Sequence, residues 1–109
     1  MQWRKMIYYN KLVRDKIPEI IQSEGKTCNT RSLDSEELVQ ELRNKLIEEV
    51  EEYLHDPSKD ELADILEVVE GLALTHDLSF DDILQAKEIK RQSRGSFANG
   101  IYLECVYKN

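Results

Sequence analysis

The chain has 109 residues, which predicts a single domain over residues 1–109. Hydrophobic residues make up 40% of it and charged residues 34%, a balance that favours a dimer or a larger assembly. The formal net charge of −7 argues against a nucleic-acid partner, because phosphate backbones are bound through basic faces. No apolar run approaches the about 20 residues of a membrane span, so no membrane partner is expected either.

The first predicted helix is short. Asp15 is its candidate N-cap, Pro18 is tolerated in its first turn, and Gly25 marks its end. The polar residues 26–33 that follow predict a loop or a short edge strand.

The second predicted helix is long and begins at Asp34 or Ser35. Asp34 and Glu37 have the spacing of a capping box, in which each residue hydrogen-bonds to the backbone of the other. The helix continues to about Leu54, and residues 55–58 form a tight turn.

Two further helices are predicted after this turn. The third runs from about Lys59 to His76 and has its aliphatic residues on one side. The fourth is opened by Ser79 with Asp82 and closed by Gly95, which occupies the usual position of a C-terminal capping glycine.

The last element is a terminal strand over the β-rich residues 101–107. Its partner would be residues 26–33 or residues 6–9. The expected fold class is therefore mainly all-α, an antiparallel bundle of about four helices with a minor terminal β-strand pair.

Targeting and cysteine patterns favour a cytoplasmic protein. The apolar residues 6–9 are too few for the core of a signal peptide. Cys28 and Cys105 have no metal-binding spacing and are too few for a disulfide framework, so we expect free thiols.

The negative charge is concentrated in the middle of the chain. Residues 34–70 carry fourteen acids and three bases, whereas residues 1–33 carry seven bases and three acids. Such an acidic block is either a solvated helical face or a cation site.

Helical phase separates these two interpretations on the second helix. At about 100° per residue, Glu49 falls inside the apolar arc, and Glu52 and Lys45 fall just outside it. Glu48 and Glu51 point toward solvent. The arc itself is formed by Leu42, Leu46, Val50 and Tyr53.

The third helix repeats this arrangement. Glu61 falls inside its apolar arc and Asp64 lies just past the same edge. Because a tight turn makes the two helices antiparallel neighbours, Glu49, Glu52, Glu61 and Asp64 are expected to meet at one end of the bundle.

Four clustered carboxylates repel one another, so either their pKa values rise or a hard cation neutralises them. Oxygen ligands suit Mg²⁺ or Mn²⁺. A structural alternative exists for Glu61, which follows Ser58 by three residues and has the spacing of the return arm of a capping box. That alternative disappears if Asp56 is the N-cap with Pro57 at the first helical position.

Three sequence blocks resemble one known superfamily. Residues 48–52 (EEVEE) followed by residues 61–64 (ELAD) resemble the EExxE…ExxD signature of the all-α nucleoside triphosphate pyrophosphohydrolases, which include MazG, dimeric dUTPases and phosphoribosyl-ATP pyrophosphohydrolase. Residues 9–21 (YNKLVRDKIPEII) resemble the opening of the small phosphoribosyl-ATP pyrophosphohydrolase-like branch. Lys90 with residues 94–97 (RGSF), and the closing residues 101–103 (IYL), resemble the same branch.

The resemblance implies an enzyme that hydrolyses a nucleotide between its α- and β-phosphates with Mg²⁺ or Mn²⁺, and releases pyrophosphate and a nucleoside monophosphate. It implies metal ligands at Glu49, Glu52, Glu61 and Asp64, with Glu48 as a further ligand or as the group that orients the attacking water. The bases then become candidate phosphate-binding residues: Lys45, Lys90, Arg94, Lys11, Arg14 and Lys16.

Two alternatives remain open. One is the phosphoribosyl-ATP pyrophosphohydrolase of histidine biosynthesis, which belongs to the same class of reaction. The other is a helical nucleotide-binding module without catalysis, against which the complete set of acids argues.

Overall fold

The computed structural model describes residues 5–108, and within them it contains four helices. They are α1 (Ile17–Ser23), α2 (Ser35–His55), α3 (Lys59–Thr75) and α4 (Phe80–Arg94). α2 and α3 form the main packed pair, and α4 packs on α3. The expected helical architecture of about four helices is confirmed.

Side-chain caps fix the starts of α2 and α3. Asp34 accepts a hydrogen bond from the backbone N–H of Glu37 at 2.8 Å, as the capping-box spacing predicts. The Glu37 carboxylate does not return to the cap, because it pairs with Arg31 at 3.0 Å. At the start of α3, Ser58 is the N-cap and accepts from the Glu61 N–H at 3.2 Å, so Asp56 is not the cap.

The complete capping box is on α4. The Asp82 N–H donates to Ser79 Oγ at 3.1 Å, and the Ser79 N–H donates to Asp82 Oδ2 at 2.8 Å. Gly95 ends the helix with a φ of 86°, a left-handed conformation that glycine adopts without a Cβ clash. Both ends of α4 are therefore as predicted.

The predicted cap of α1 is wrong. The N-cap is Lys16, with no side-chain hydrogen bond, and Asp15 lies one residue too early to reach the first turn. Pro18 lies in that turn and has no backbone N–H to be capped.

The predicted strand pair is not seen in the described part of the chain. Residues 101–107, residues 26–33 and residues 6–9 all lack strand pairing there. A strand requires a hydrogen-bonded neighbour, and residues 101–107 remain exposed beyond α4.

The buried apolar core is small. Among residues 5–108 only Leu42, Val68 and Ala73 are buried apolar side chains. The radius of gyration is 19.7 Å, compared with about 13 Å for a compact domain of this length, and the longest dimension is 80 Å. No helix of the described chain is both long and apolar enough to cross a membrane.

The α2–α3 pair leaves an apolar face uncovered. α2 buries the side that carries Leu42 and Glu49, so the opposite edge of its predicted arc stays exposed. We call this surface the hairpin face; it consists of Ile47, Val50, Leu54, Leu62 and Leu66, whose exposed fractions run from 37% to 70%. By helical phase it lies about 140–180° from Glu52 on α2 and about 160–200° from Asp64 on α3.

Candidate metal centre

The structure brings together the acids of α2 and α3 that helical phase singled out. Ligand oxygens of Glu48, Glu49 and Glu52 lie within 4.8 Å of one another, and so do those of Glu49, Glu61 and Asp64. Glu49 belongs to both groups, which makes it the centre of a five-carboxylate cluster. Because residues 56–58 connect the two helices, α2 and α3 each contribute from the end nearest the turn.

Glu49 is the most buried of these carboxylates, with 6% of the residue exposed. Its Oε1 lies 3.5 Å from the Lys45 ammonium, one turn earlier on α2. Its Oε2 is buried with no hydrogen-bond partner among the described residues, and the same is true of Glu61 Oε2. Buried carboxylate oxygens are normally paired, so two unpaired ones in a single cluster are the chemistry expected of cation ligands.

The cluster raises the pKa of two of its members. Burial is the main cause for Glu49, and repulsion from the Glu52 and Asp64 carboxylates adds to it, while the Lys45 ammonium opposes the rise. The pKa of Glu61 is raised by burial first, and then by Glu52 and Asp64. The negative charge of the carboxylates exceeds the positive charge of the nearby bases, which favours either protonation of the carboxylates or binding of a cation.

Glu61 does not serve as the return arm of a capping box. Its backbone N–H donates to Ser58 Oγ, but no reciprocal bond from its carboxylate forms. The carboxylate instead lies with Glu49 and Asp64. The structural alternative for this residue is therefore not supported.

Glu48 departs from its predicted orientation. Helical phase directs it to solvent, yet it is only half-exposed, and its Oε2 lies 3.4 Å from the Lys45 ammonium. Its Oε1 lies 3.7 Å from Lys11 Nζ. Helical phase describes only the Cα position. The long side chain of Glu48 extends around the helix from there, and its carboxylate reaches these two bases.

Three of the six candidate phosphate-binding bases lie at the cluster. They are Lys45, which has only 19% of its side chain exposed, together with Lys11 and Arg14 from the segment before α1. The Arg14 guanidinium lies 2.7 Å from Asp64 Oδ1. The α2–α3 acids thus receive their counter-charge from two directions.

The structure does not bring the other three bases to this site. Lys16 is exposed at the start of α1, and Lys90 and Arg94 are exposed on α4. None of them lines the groove beside the cluster. Helical phase shows which side of α4 carries Lys90 and Arg94, but it does not show which helix α4 packs on. In the structure α4 packs on α3.

A groove of about 880 Å³ extends from the cluster along α2 and α3. Glu49, Asp64 and the three bases line one part of it. Apolar residues, including Leu38, Leu42 and Val68, line most of the rest. The sequence carried no signal for this groove, because groove residues and core residues share the same helical periodicity.

The chain matches no protein-family model, no curated protein and no solved structure. What it binds must therefore be inferred from the carboxylates, the bases and the groove that they border.

Proposed function

We propose that the chain is a nucleotide pyrophosphohydrolase that requires Mg²⁺ or Mn²⁺ and cleaves between the α- and β-phosphates. The main observation in favour is the pair of unpaired buried oxygens, Glu49 Oε2 and Glu61 Oε2, in a five-carboxylate cluster beside a groove. The resemblance of residues 48–52 and 61–64 to the EExxE…ExxD signature suggests the type of reaction.

The donor set fits a hard divalent cation. Glu49, Glu52, Glu61 and Asp64 would hold it, since the site offers only carboxylate oxygens and no nitrogen or sulfur ligand. When bound, such an ion screens phosphate charge and makes coordinated water a better nucleophile.

The protein's own contribution is binding and orientation. Lys45 holds Glu49 and Glu48 from one side, so that both carboxylates keep a fixed direction. Glu48 is half-exposed at the edge of the cluster, where a carboxylate can accept a proton from an attacking water. Lys11 and Arg14 supply positive charge at the mouth of the groove, where phosphate oxygens would lie.

The groove has the composition that a nucleotide requires. Its charged part suits phosphates, and its apolar part, with Leu38, Leu42 and Val68, suits the faces of a base. A volume of about 880 Å³ falls in the range of small-molecule sites. A nucleotide with its phosphates at the carboxylate end would occupy both parts.

Two other functions use the same features. A phosphoribosyl-ATP pyrophosphohydrolase would place a larger substrate in the same groove. A non-catalytic nucleotide-binding module would bind nucleotide and cation without turnover. The unpaired oxygens of Glu49 and Glu61 favour a bound cation in each of these functions. The resemblance of residues 48–52 and 61–64 to the EExxE…ExxD signature is what favours turnover over binding alone.

We also infer a cytoplasmic homodimer or homotetramer. The hairpin face is exposed although it is apolar, and a second copy of the chain would cover it with the same face. Burying such a surface would compensate for the small core of one copy.

A nucleotide screen tests the proposed function. Ribo- and deoxyribonucleoside triphosphates and phosphoribosyl-ATP are incubated with Mg²⁺ or Mn²⁺, and pyrophosphate and orthophosphate are both measured. Metal-dependent pyrophosphate release that Glu49→Gln abolishes is the expected result. Nucleotide binding without turnover of any of these compounds would instead establish the binding module.

A further inference from the structure

The segment before α1 is attached to the rest of the chain in an unusual way. Residues 5–16, here called the strap, contain no helix or strand. Within the described chain no backbone hydrogen bond joins the strap to α2 or α3. Its polar connections to these helices are the Lys11–Glu48 and Arg14–Asp64 ion pairs.

These two ion pairs end on carboxylates of the metal centre. Glu48 belongs to one ligand group and Asp64 to the other, so the strap reaches both. The third base at the cluster, Lys45, lies on α2 itself and contacts Glu49 and Glu48 within one helical turn. The strap bases are therefore the part of the counter-charge that can move without disturbing the helices.

The strap pairs are also solvent-accessible. The Lys11 and Arg14 side chains are 44% and 55% exposed, and their acidic partners are 35% and 38% exposed. Exposed ion pairs contribute little net stability, because water and salt screen them. Arg14 contacts Asp64 through one nitrogen, at 2.7 Å, whereas a guanidinium can bind a phosphate through two parallel hydrogen bonds.

We propose that the strap exchanges its partners during substrate binding: Lys11 and Arg14 leave Glu48 and Asp64 and transfer to the polyphosphate of a metal-bound nucleotide. Asp64 would then be free to hold the cation and Glu48 to accept a proton from the attacking water, while Lys11 and Arg14 would bind the phosphates. The inference rests on the proposed function, since it requires that the cluster bind a divalent cation.

Binding measurements on Arg14→Ala test the exchange without any turnover. Mn²⁺ alone is titrated by electron paramagnetic resonance, and inorganic pyrophosphate is titrated by calorimetry in saturating Mn²⁺. Removing Arg14 frees Asp64 and removes a repelling charge, so Mn²⁺ should bind several-fold more tightly. Pyrophosphate should bind about tenfold more weakly, the loss expected for one charge-assisted hydrogen bond.

A matched control is Arg31→Ala, because Arg31 pairs with Glu37 at the other end of α2 and lies outside the cluster. Both affinities should remain at the wild-type value. Lys11→Ala provides a second strap variant with the same expected signs as Arg14→Ala. Circular dichroism confirms that each variant keeps its helices.

The test depends on the opposite changes that Arg14→Ala should cause in the Mn²⁺ affinity and in the pyrophosphate affinity. If Arg14→Ala weakens Mn²⁺ binding, Arg14 positions Asp64 for the ion and the exchange is wrong. If the pyrophosphate affinity does not change, the strap does not receive phosphates and the exchange is also wrong. A wild-type chain that binds no Mn²⁺ would refute the proposed function itself, which is a separate outcome.

Movement of the strap is tested with trypsin, which cleaves after Lys11. Mn²⁺ alone should speed cleavage at this bond several-fold, because a strap released from Glu48 and Asp64 opens more readily into the extended form that the protease cleaves. Adding inorganic pyrophosphate to the Mn²⁺-bound chain should slow it again. Equal cleavage rates in all three conditions would overturn the exchange.

Discussion

Lys45 Nζ lies 3.5 Å from Glu49 Oε1, while Glu49 Oε2 has no partner among the described residues. The chain thus neutralises one oxygen of its most buried carboxylate and leaves the other free. Lys45→Met should therefore destabilise the fold by about 1–3 kcal/mol, because it leaves the buried Glu49 carboxylate without a positively charged partner. Glu49→Gln should cost less, since it removes the charge itself. Urea denaturation of both variants measures the difference, and equal losses would contradict this account.

Loss of a single cluster carboxylate should abolish catalysis. Glu49→Gln and Asp64→Asn each remove an anionic oxygen that a divalent cation requires, so turnover should fall by about 100-fold or more. Circular dichroism should show the helices intact. Glu51→Gln is the control, because Glu51 is exposed on the same helix and belongs to neither ligand group. Full activity in Asp64→Asn would remove that residue from the metal centre.

The raised pKa values of Glu49 and Glu61 predict the sign of the pH dependence of stability. The folded chain holds protons on these groups above the ordinary pKa of 4.5, where the unfolded chain has released them. The free energy of unfolding should therefore fall as the pH rises from about 4.5 through the raised pKa values. Thermal melts at pH 5 and pH 7 measure this trend, and Glu49→Gln should flatten it.

Added Mg²⁺ provides the complement to that experiment. Protons and cations compete for the same oxygens, so Mg²⁺ should raise the melting temperature more at pH 7 than at pH 5. A larger effect at pH 5 would mean that the ion binds elsewhere.

The sequence predicted the helices and the acid cluster for the same physical reason. Caps such as Ser79 with Asp82 act within one turn, and the phase of Glu49 and Glu61 follows from helix geometry alone. The tight turn then fixes α2 and α3 as neighbours. These features depend only on residues close in sequence.

Features that depend on packing between distant segments were not predictable in this way. Helical phase centres the apolar arc of α2 on Leu46. It could not show that the side of α2 carrying Leu42 and Glu49 is the one that is buried. It could not show that Lys90 would lie away from the groove, or that Arg14 would cross to Asp64, fifty positions later. No periodicity within one helix encodes these contacts.

The hairpin face predicts self-association. Light scattering at micromolar concentration should give at least a dimer, because one copy leaves the five large apolar side chains of the hairpin face exposed. Leu66→Glu should shift the chain toward monomer by placing a charge in that face. Gln85→Glu adds the same charge at an exposed position of α4 and should have no such effect. A wild-type monomer would show that the face needs no second copy.

The position of bond cleavage gives the last prediction. Carboxylate-held metals can activate attack at either the α- or the terminal phosphorus, so the cluster alone does not choose between them. The resemblance to the EExxE…ExxD signature favours the α-phosphorus, and so does a sequence with no glycine-rich loop of the kind that cradles β- and γ-phosphates. In ¹⁸O-labelled water, mass spectrometry should find the label in the nucleoside monophosphate and equal amounts of unlabelled pyrophosphate. Label in orthophosphate, with a nucleoside diphosphate as first product, would refute the reaction even if every metal ligand were confirmed.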